Sequence, residues 1–151
     1  MDDDVAVPDG TAEAIQHFLE NEHGFLSFLN MELVDIGADR AVLRVPYDEK
    51  LTNPTSPPSM HGGVASTLID TVGGLALRPH LRNPVEGSMA TINLDVNYLQ
   101  PATDDLVATA EPVRAGGTVG VSEVTVESET PDEAVEPVAV GQGAYRLFHE
   151  G

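Results

Sequence analysis

Met60-His61-Gly62-Gly63-Val64-Ala65-Ser66-Thr67-Leu68-Ile69-Asp70-Thr71-Val72-Gly73-Gly74-Leu75-Ala76-Leu77 is the stretch on which the fold turns. From His61 to Leu77 the spacing predicts one helix, stopped by Pro79. Placed at about 100° per residue, Val64, Ala65, Leu68, Val72, Leu75 and Ala76 form an apolar face. Gly63, Ser66, Thr67, Asp70, Gly73 and Gly74 gather on the opposite side. A helix face turned to water normally carries Glu, Lys or Arg, whereas this one is small and uncharged except for Asp70. Adjacent helical glycines cost about 1 kcal/mol each against alanine, so Gly73-Gly74 points to a close approach by another element. The expected neighbour is a second copy of the same helix.

On that reading Asp70 is a carboxylate partly withdrawn from water at a subunit interface, the setting of a general base near neutral pH. An aspartate simply exposed to solvent is the plainer alternative. Just before the helix, His61-Gly62-Gly63 places free backbone N–H groups and the positive end of the helix dipole beside a Pro-rich loop, where glycine lets a substrate oxygen come close. Gly62 and Asp70 are eight residues apart, about 12 Å of helical rise, too far to hold one carbonyl between hydrogen bonds of about 3 Å each. Two antiparallel copies of the helix about a two-fold axis would bring Gly62 of one chain to Asp70 of the other, giving two shared sites per dimer.

Outward from the helix, Thr11 is the expected cap of a short peripheral helix carrying Ile15, Phe18 and Leu19 and ending near Gly24. Residues 1–24 thus read as an acidic N-terminal segment and residues 25–151 as the main domain. Met31 to Ile36 and Ala41 to Val45 read as a hairpin turned at Gly37-Ala38-Asp39. Residues 46–60, with Pro46, Pro54, Pro57 and Pro58, read as ordered loop without helix or sheet. Four strands are expected over 89–99, 104–114, 118–128 and 138–148. In the first of them Ile92, Leu94, Val96 and Tyr98 share a buried face, leaving Thr91, Asn93, Asp95 and Asn97 on the polar one. Val119 and Val121 fall out of phase with Val124 and Val126, so a bulge or a strong twist is expected near Ser122. The acidic run Glu127 to Glu136 reads as a solvated hairpin connection.

At 151 residues, with 41% hydrophobic content, the chain suits one domain with a proper core. Twenty-five acids against seven bases, only one of them lysine, give a net charge of −18 and no basic cluster for nucleic acid or anionic membrane. Such an acidic, lysine-poor surface resembles those of salt-accumulating halophiles, where screening relaxes self-repulsion. The absence of cysteine excludes thiolate chemistry, and the five histidines show no metal-ligand spacing. A Met-Asp-Asp-Asp start without the apolar core of a signal peptide, and no long apolar run, lead to the expectation of a soluble cytoplasmic protein. No serine-hydrolase elbow or phosphate-binding Gly-Lys-Ser/Thr loop occurs, so the Asp-centred group is the coherent constellation.

The stretch from Asn53 through Met60-His61-Gly62-Gly63 to Asp70 and Gly73-Gly74 resembles the signature of PaaI-type hot-dog acyl-CoA thioesterases, and Thr91 to Pro101 is similar to the strand that follows it. The resemblance implies an α+β hot-dog fold, a curved antiparallel sheet of about six strands around one long central helix, paired into dimers and often tetramers. It implies that Asp70 activates water or is itself the nucleophile, that the Gly62 N–H polarises the carbonyl, and that His61 holds the loop and assists the leaving thiolate. Asn53 and Thr91 match the family's loop asparagine and strand hydroxyl, although Asn53 stands eight residues before His61, further than is usual, with Thr55 in the usual place. Gly63, Thr67 and Thr71 would border the substrate. Arg114 with Gly116, Gly117 and Thr118 is the candidate for the coenzyme A phosphates, a hairpin turn being the other reading of those glycines. No cofactor or metal is expected beyond the coenzyme A of the substrate. The leading expectation is acyl-CoA hydrolysis. A non-catalytic acyl-CoA binding module is the competitor from another class, and a hot-dog enoyl-CoA hydratase stands further off because no histidine has an aspartate five residues before it.

Overall fold

A computed structural model describes residues 5–150. The chain opens with α1 (Thr11–His17), a π-helical turn over Phe18–Glu22 and α2 (Gly24–Phe28). Gly10, left-handed at φ +83°, takes the cap position expected of Thr11. Thr11 is already helical and buried, and its hydroxyl has no partner among the described residues. The first helices are also less peripheral than their shortness suggests, since Leu19, Leu26 and Leu29 join the main core.

The hairpin of β1 (Glu32–Ile36) and β2 (Ala41–Val45) forms as expected, turning through Gly37-Ala38-Asp39. The Pro-rich segment departs from the expectation of pure loop. It holds a 3-10 turn at Glu49–Leu51 and a two-residue pairing of β3 (Thr52–Asn53) with β4 (Ser59–Met60), which draws the loop tip back onto the head of the next helix. Then come α3 (Gly62–Leu77), β5 (Ser88–Tyr98), β6 (Leu106–Ala115), β7 (Val119–Glu129) and β8 (Val135–Phe148). Six strands make one antiparallel sheet in the order β1-β2-β6-β7-β8-β5, and α3 lies across β2, β5, β6, β7 and β8. Leu68, Ile69, Val72 and Ala76 are fully buried between helix and sheet.

The sheet curves through β-bulges, and these correct two expectations. β7 keeps strict alternation, with Gly120, Ser122, Val124, Val126 and Ser128 all turned inward. The extra residue lies opposite, on β6, where Pro112 pairs with Ser122 and Arg114 with Val121, leaving Val113 looped out. Ser122 is buried because its hydroxyl donates to the Gly73 carbonyl of α3 at 2.8 Å. On β5 the register slips at Ile92, between Thr91 paired with Tyr145 and Asn93 paired with Ala144. Thr91 therefore shares the helix-facing side with Leu94, Val96 and Tyr98 and does not join the polar face that simple alternation assigns it. The bulged residues Val34, Ile92 and Val113 are 57%, 58% and 50% exposed and turn outward, whereas Val138, the extra residue of β8 opposite Val126 and Glu127, is buried.

Close approach at Gly73-Gly74 is real, but the neighbour is this chain's own Tyr145. Its ring, 1% exposed, lies under the glycines, with Met89 beside Gly74 and Gly143 beneath the phenol. A Cβ at Gly73 would overlap the Tyr145 hydroxyl. Gly73→Ala is expected to destabilise the fold by about 1–3 kcal/mol, overpacking outweighing the roughly 1 kcal/mol gain in helix propensity. Denaturant unfolding measures this, and a stabilised variant would contradict the packing described.

Candidate active site

The exposed stripe of α3 runs through Gly63, Ser66, Thr67, Asp70 and Thr71, and chemistry-bearing residues collect at two separate places along it. At the amino end, His61 caps the helix. Its Nδ1 accepts the Gly63 N–H at 2.8 Å, so a neutral His61 carries its proton on Nε2. The His61 N–H donates to the Leu51 carbonyl at 2.8 Å, tying the Pro-rich loop to the helix start. The Gly62 N–H finds no acceptor among the described residues, the state of an orphan donor at a helix start. Thr67 is occupied locally, its hydroxyl donating to the Gly63 carbonyl at 2.8 Å. Asn53 comes to the same place through the β3–β4 pairing, and it lines a cavity of about 240 Å3 with His61, Gly62, Tyr98 and Gln100.

Tyr98 is a site residue that the sequence pattern does not reveal. Its hydroxyl donates to the Gly62 carbonyl at 2.9 Å and meets the Ser66 hydroxyl, and its ring lies where a Gly62 side chain would project. The alternation in β5 does place Tyr98 on the helix-facing side; nothing in the pattern says which turn it reaches.

One helical stretch further on, the Thr91 hydroxyl donates to Asp70 Oδ1 at 2.6 Å. The Asp70 main-chain carbonyl accepts the buried Tyr145 hydroxyl at 2.7 Å. Burial, and then the Asp70 charge, push the Tyr145 pKa up, so the phenol stays a donor throughout the working pH range. Asp70, Thr71 and Thr91 border a second, mostly apolar cavity of about 490 Å3, which Ile15, Phe18 and Leu19 from the N-terminal helices also line. Phe25 and Phe28, by contrast, stand 55% and 54% exposed and border neither cavity.

Within one chain, then, Asn53, His61 and Gly62 form one group and Asp70, Thr71 and Thr91 another. Gly62 and Asp70 remain eight residues apart on one continuous helix. Arg114, Gly116, Gly117 and Thr118 belong to neither group. They form the β6–β7 turn, closed by the Gly116 N–H donating to the Val119 carbonyl at 3.0 Å, on the side of α3 where Gly120 meets Leu77. Among the described residues, Arg114 is bound to no carboxylate.

A single long helix laid across a six-stranded antiparallel sheet, with polar groups along the open side of the helix, is the hot-dog architecture of thioester hydrolases. The chain belongs to the Thioesterase superfamily, whose sequence model matches residues 58–135. It is 47% identical to a Halobacterium salinarum protein that bears a provisional esterase name, over 94% of this chain and 95% of that one. It is 23% identical to mouse acyl-coenzyme A thioesterase 13, over 68% and 71% of the two chains. Among solved structures, a Haemophilus influenzae thioesterase superposes with a TM-score of 0.79 at 21% identity, covering 95% of this chain and 94% of that one.

Thr91→Val keeps the side-chain shape and removes the donor to Asp70. Thioester hydrolysis is expected to fall about 10- to 100-fold in kcat, the worth of one hydrogen bond to a charged group. Thr91→Ser should restore it, with melting temperatures close to wild type throughout. Unchanged kcat in the valine variant would remove Thr91 from the site.

Proposed function

We propose that the chain is a PaaI-type thioesterase that hydrolyses acyl-CoA to the free acid and coenzyme A, in a site shared between two copies. The observation that carries this reading is the separation just described: an orphan amide donor with Asn53 at one end of the α3 stripe, and a carboxylate beside an apolar cavity about 12 Å further along it. Antiparallel pairing of two α3 stripes would set Gly62 of one copy against Asp70 of the other. The free edge of β5, with Ile92, Tyr98 and Leu99 each more than half exposed, supports such pairing. A homodimer is the minimum assembly and a homotetramer the fuller one.

In this mechanism the Asp70 carboxylate takes a proton from water as its oxygen attacks the thioester carbon, or attacks that carbon itself and is released by water in a second step. The tetrahedral oxyanion is held by the Gly62 N–H of the second copy, with Asn53 beside it, and the C–S bond breaks as the thiolate departs and gains a proton. Thr91 orients the carboxylate. His61 shapes the loop and presents Nε2–H towards the leaving group. Gly63, Thr67 and Thr71 border the substrate on the stripe. Arg114 and the Gly116-Gly117-Thr118 turn receive the coenzyme A phosphates, and no cofactor or metal takes part. The mouse relative's name supports an acyl-CoA substrate.

The test is hydrolysis of an acyl-CoA panel at high salt by wild type, Asp70→Asn and Asp70→Ala. Both variants should lose at least about 100-fold in turnover while remaining dimeric. Equal rates would sink the mechanism, and binding without turnover in wild type would favour a binding module.

We also assign the protein to the cytoplasm of a salt-accumulating organism, a reading supported by the net charge of −18 and by the Halobacterium salinarum relative. With screening shortening from about 10 Å at 0.1 M salt to about 3 Å at 1 M, the unfolding midpoint should climb steadily over that range. A flat profile in thermal melts would contradict it.

A further inference from the structure

Arg78 follows the last residue of α3 and lines the larger cavity at the far end from Asp70. The two are eight residues apart, about 12 Å along the helix axis. Its Nη1 donates to the Pro84 carbonyl at 2.8 Å and to the Gly87 carbonyl at 3.0 Å. The Nε and Nη2 edge, which offers two parallel N–H groups, bonds nothing among the described residues. No carboxylate among them pairs with the guanidinium. The acids in the same wall are Asp70, bonded to Thr91, and Glu22, which faces His17.

Burial alone pulls the Arg78 pKa below its ordinary value, with no neighbouring acid holding it up. The group stays cationic regardless. A half-buried cation satisfied by two carbonyls on one side, in a mostly apolar cavity whose two acids are engaged by Thr91 and His17, keeps one edge free for an anion. Thr11, also in that wall, contributes a buried hydroxyl with no partner among the described residues.

Resting on the thioesterase reading above, we propose that this cavity receives acyl groups ending in a carboxylate, with the Nε/Nη2 edge of Arg78 as its bidentate receptor and the thioester held near Asp70. The fork geometry matches a carboxylate directly, and the apolar walls of Ile15, Phe18 and Leu75 accept the methylenes between the two ends. The sign of the effect is diagnostic. A chain of net charge −18 should otherwise disfavour an acyl group that brings one more negative charge.

The experiment compares carbon-matched pairs: glutaryl-CoA with valeryl-CoA, adipyl-CoA with hexanoyl-CoA, suberyl-CoA with octanoyl-CoA and sebacyl-CoA with decanoyl-CoA. In wild type the carboxylated member of at least one pair is expected to show kcat/KM about 10-fold or more above its partner. Arg78→Met should bring that ratio to one or below, and Arg78→Lys should keep part of it. A role confined to clipping the Pro84–Gly87 loop would lower both members equally and leave the ratio alone. Dissociation constants for the same pairs on Asp70→Asn give a second readout independent of turnover. If uncarboxylated acyl-CoAs are hydrolysed or bound as well as their partners, the inference falls and the thioesterase reading stands. If none is hydrolysed while carboxylated forms still bind preferentially through Arg78, the reading of the reaction falls and the carboxylate receptor stands.

Discussion

The buried hydrogen bond from the Tyr145 hydroxyl to the Asp70 carbonyl sets the position of nearly everything else. It joins the C-terminal part of β8 to the middle of α3 at the residue whose side chain faces the open stripe. The ring fits only because Gly73, Gly74 and Gly143 carry no side chains. Ser122 adds a second tie one helical step away, through the Gly73 carbonyl. Carbonyls in mid-helix already accept a bond from within the helix, and here two accept a further one from the sheet. Helix and sheet are thereby locked in rotation as well as in distance, which apolar contact alone does not do. A carboxylate carried on a helix held this way has a fixed direction, so Thr91 can meet it at 2.6 Å from the neighbouring strand.

The strand side of that meeting depends on a bulge. Without the extra residue at Ile92, Thr91 would point away from α3 whenever Leu94, Val96 and Tyr98 pointed towards it. One inserted residue lets a single strand supply both a hydroxyl for Asp70 and a phenol for Gly62. Bulges at Val34 and Val113 bend the sheet in the same manner and leave a β-branched side chain facing out each time.

These features explain what can be read from the chain and what cannot. The central helix, the β1–β2 hairpin and the four long strands are legible because periodicity in a buried face is a local property. The Ser66, Thr67 and Asp70 stripe is legible for the same reason. The neighbour of Gly73-Gly74 is not, because a close approach is recorded in the glycine while its partner lies some seventy positions away at Tyr145. The slip in valine phase on β7 is visible but points to the wrong strand, since a bulge in β6 and a buried serine in β7 leave the same trace in one sequence. Simple alternation puts Thr91 on the polar face because a bulge at a β-branched residue has no compositional mark. Shortness makes the first helix read as peripheral, yet Leu19, Leu26 and Leu29, with Ile15 packed against the same core, tie the N-terminal helices to it.

The distribution of the seven basic residues follows from the same scarcity of positive charge. Arg40 pairs with Asp35, Arg44 bridges Glu32 and Asp105, Lys50 lies by Asp48, and Arg82 reaches towards Glu150. The Arg44 bridge joins the hairpin to the start of β6, and Asp105, despite partial burial, is held below the usual carboxylate range by the Tyr47 N–H and Arg44. Arg78, Arg114 and Arg146 pair with no carboxylate among the described residues. Arg146 donates to the Leu147 carbonyl and lies over the Phe148 ring; Arg78 commits one nitrogen to two carbonyls. In a chain with twenty-five acids, an arginine finds a carboxylate partner wherever the fold lets it reach one. The three that pair with no carboxylate among the described residues stand apart from the hairpin where Arg40 and Arg44 find theirs: Arg78 follows α3, Arg114 precedes the β6–β7 turn, and Arg146 lies on β8, an interior strand of the sheet.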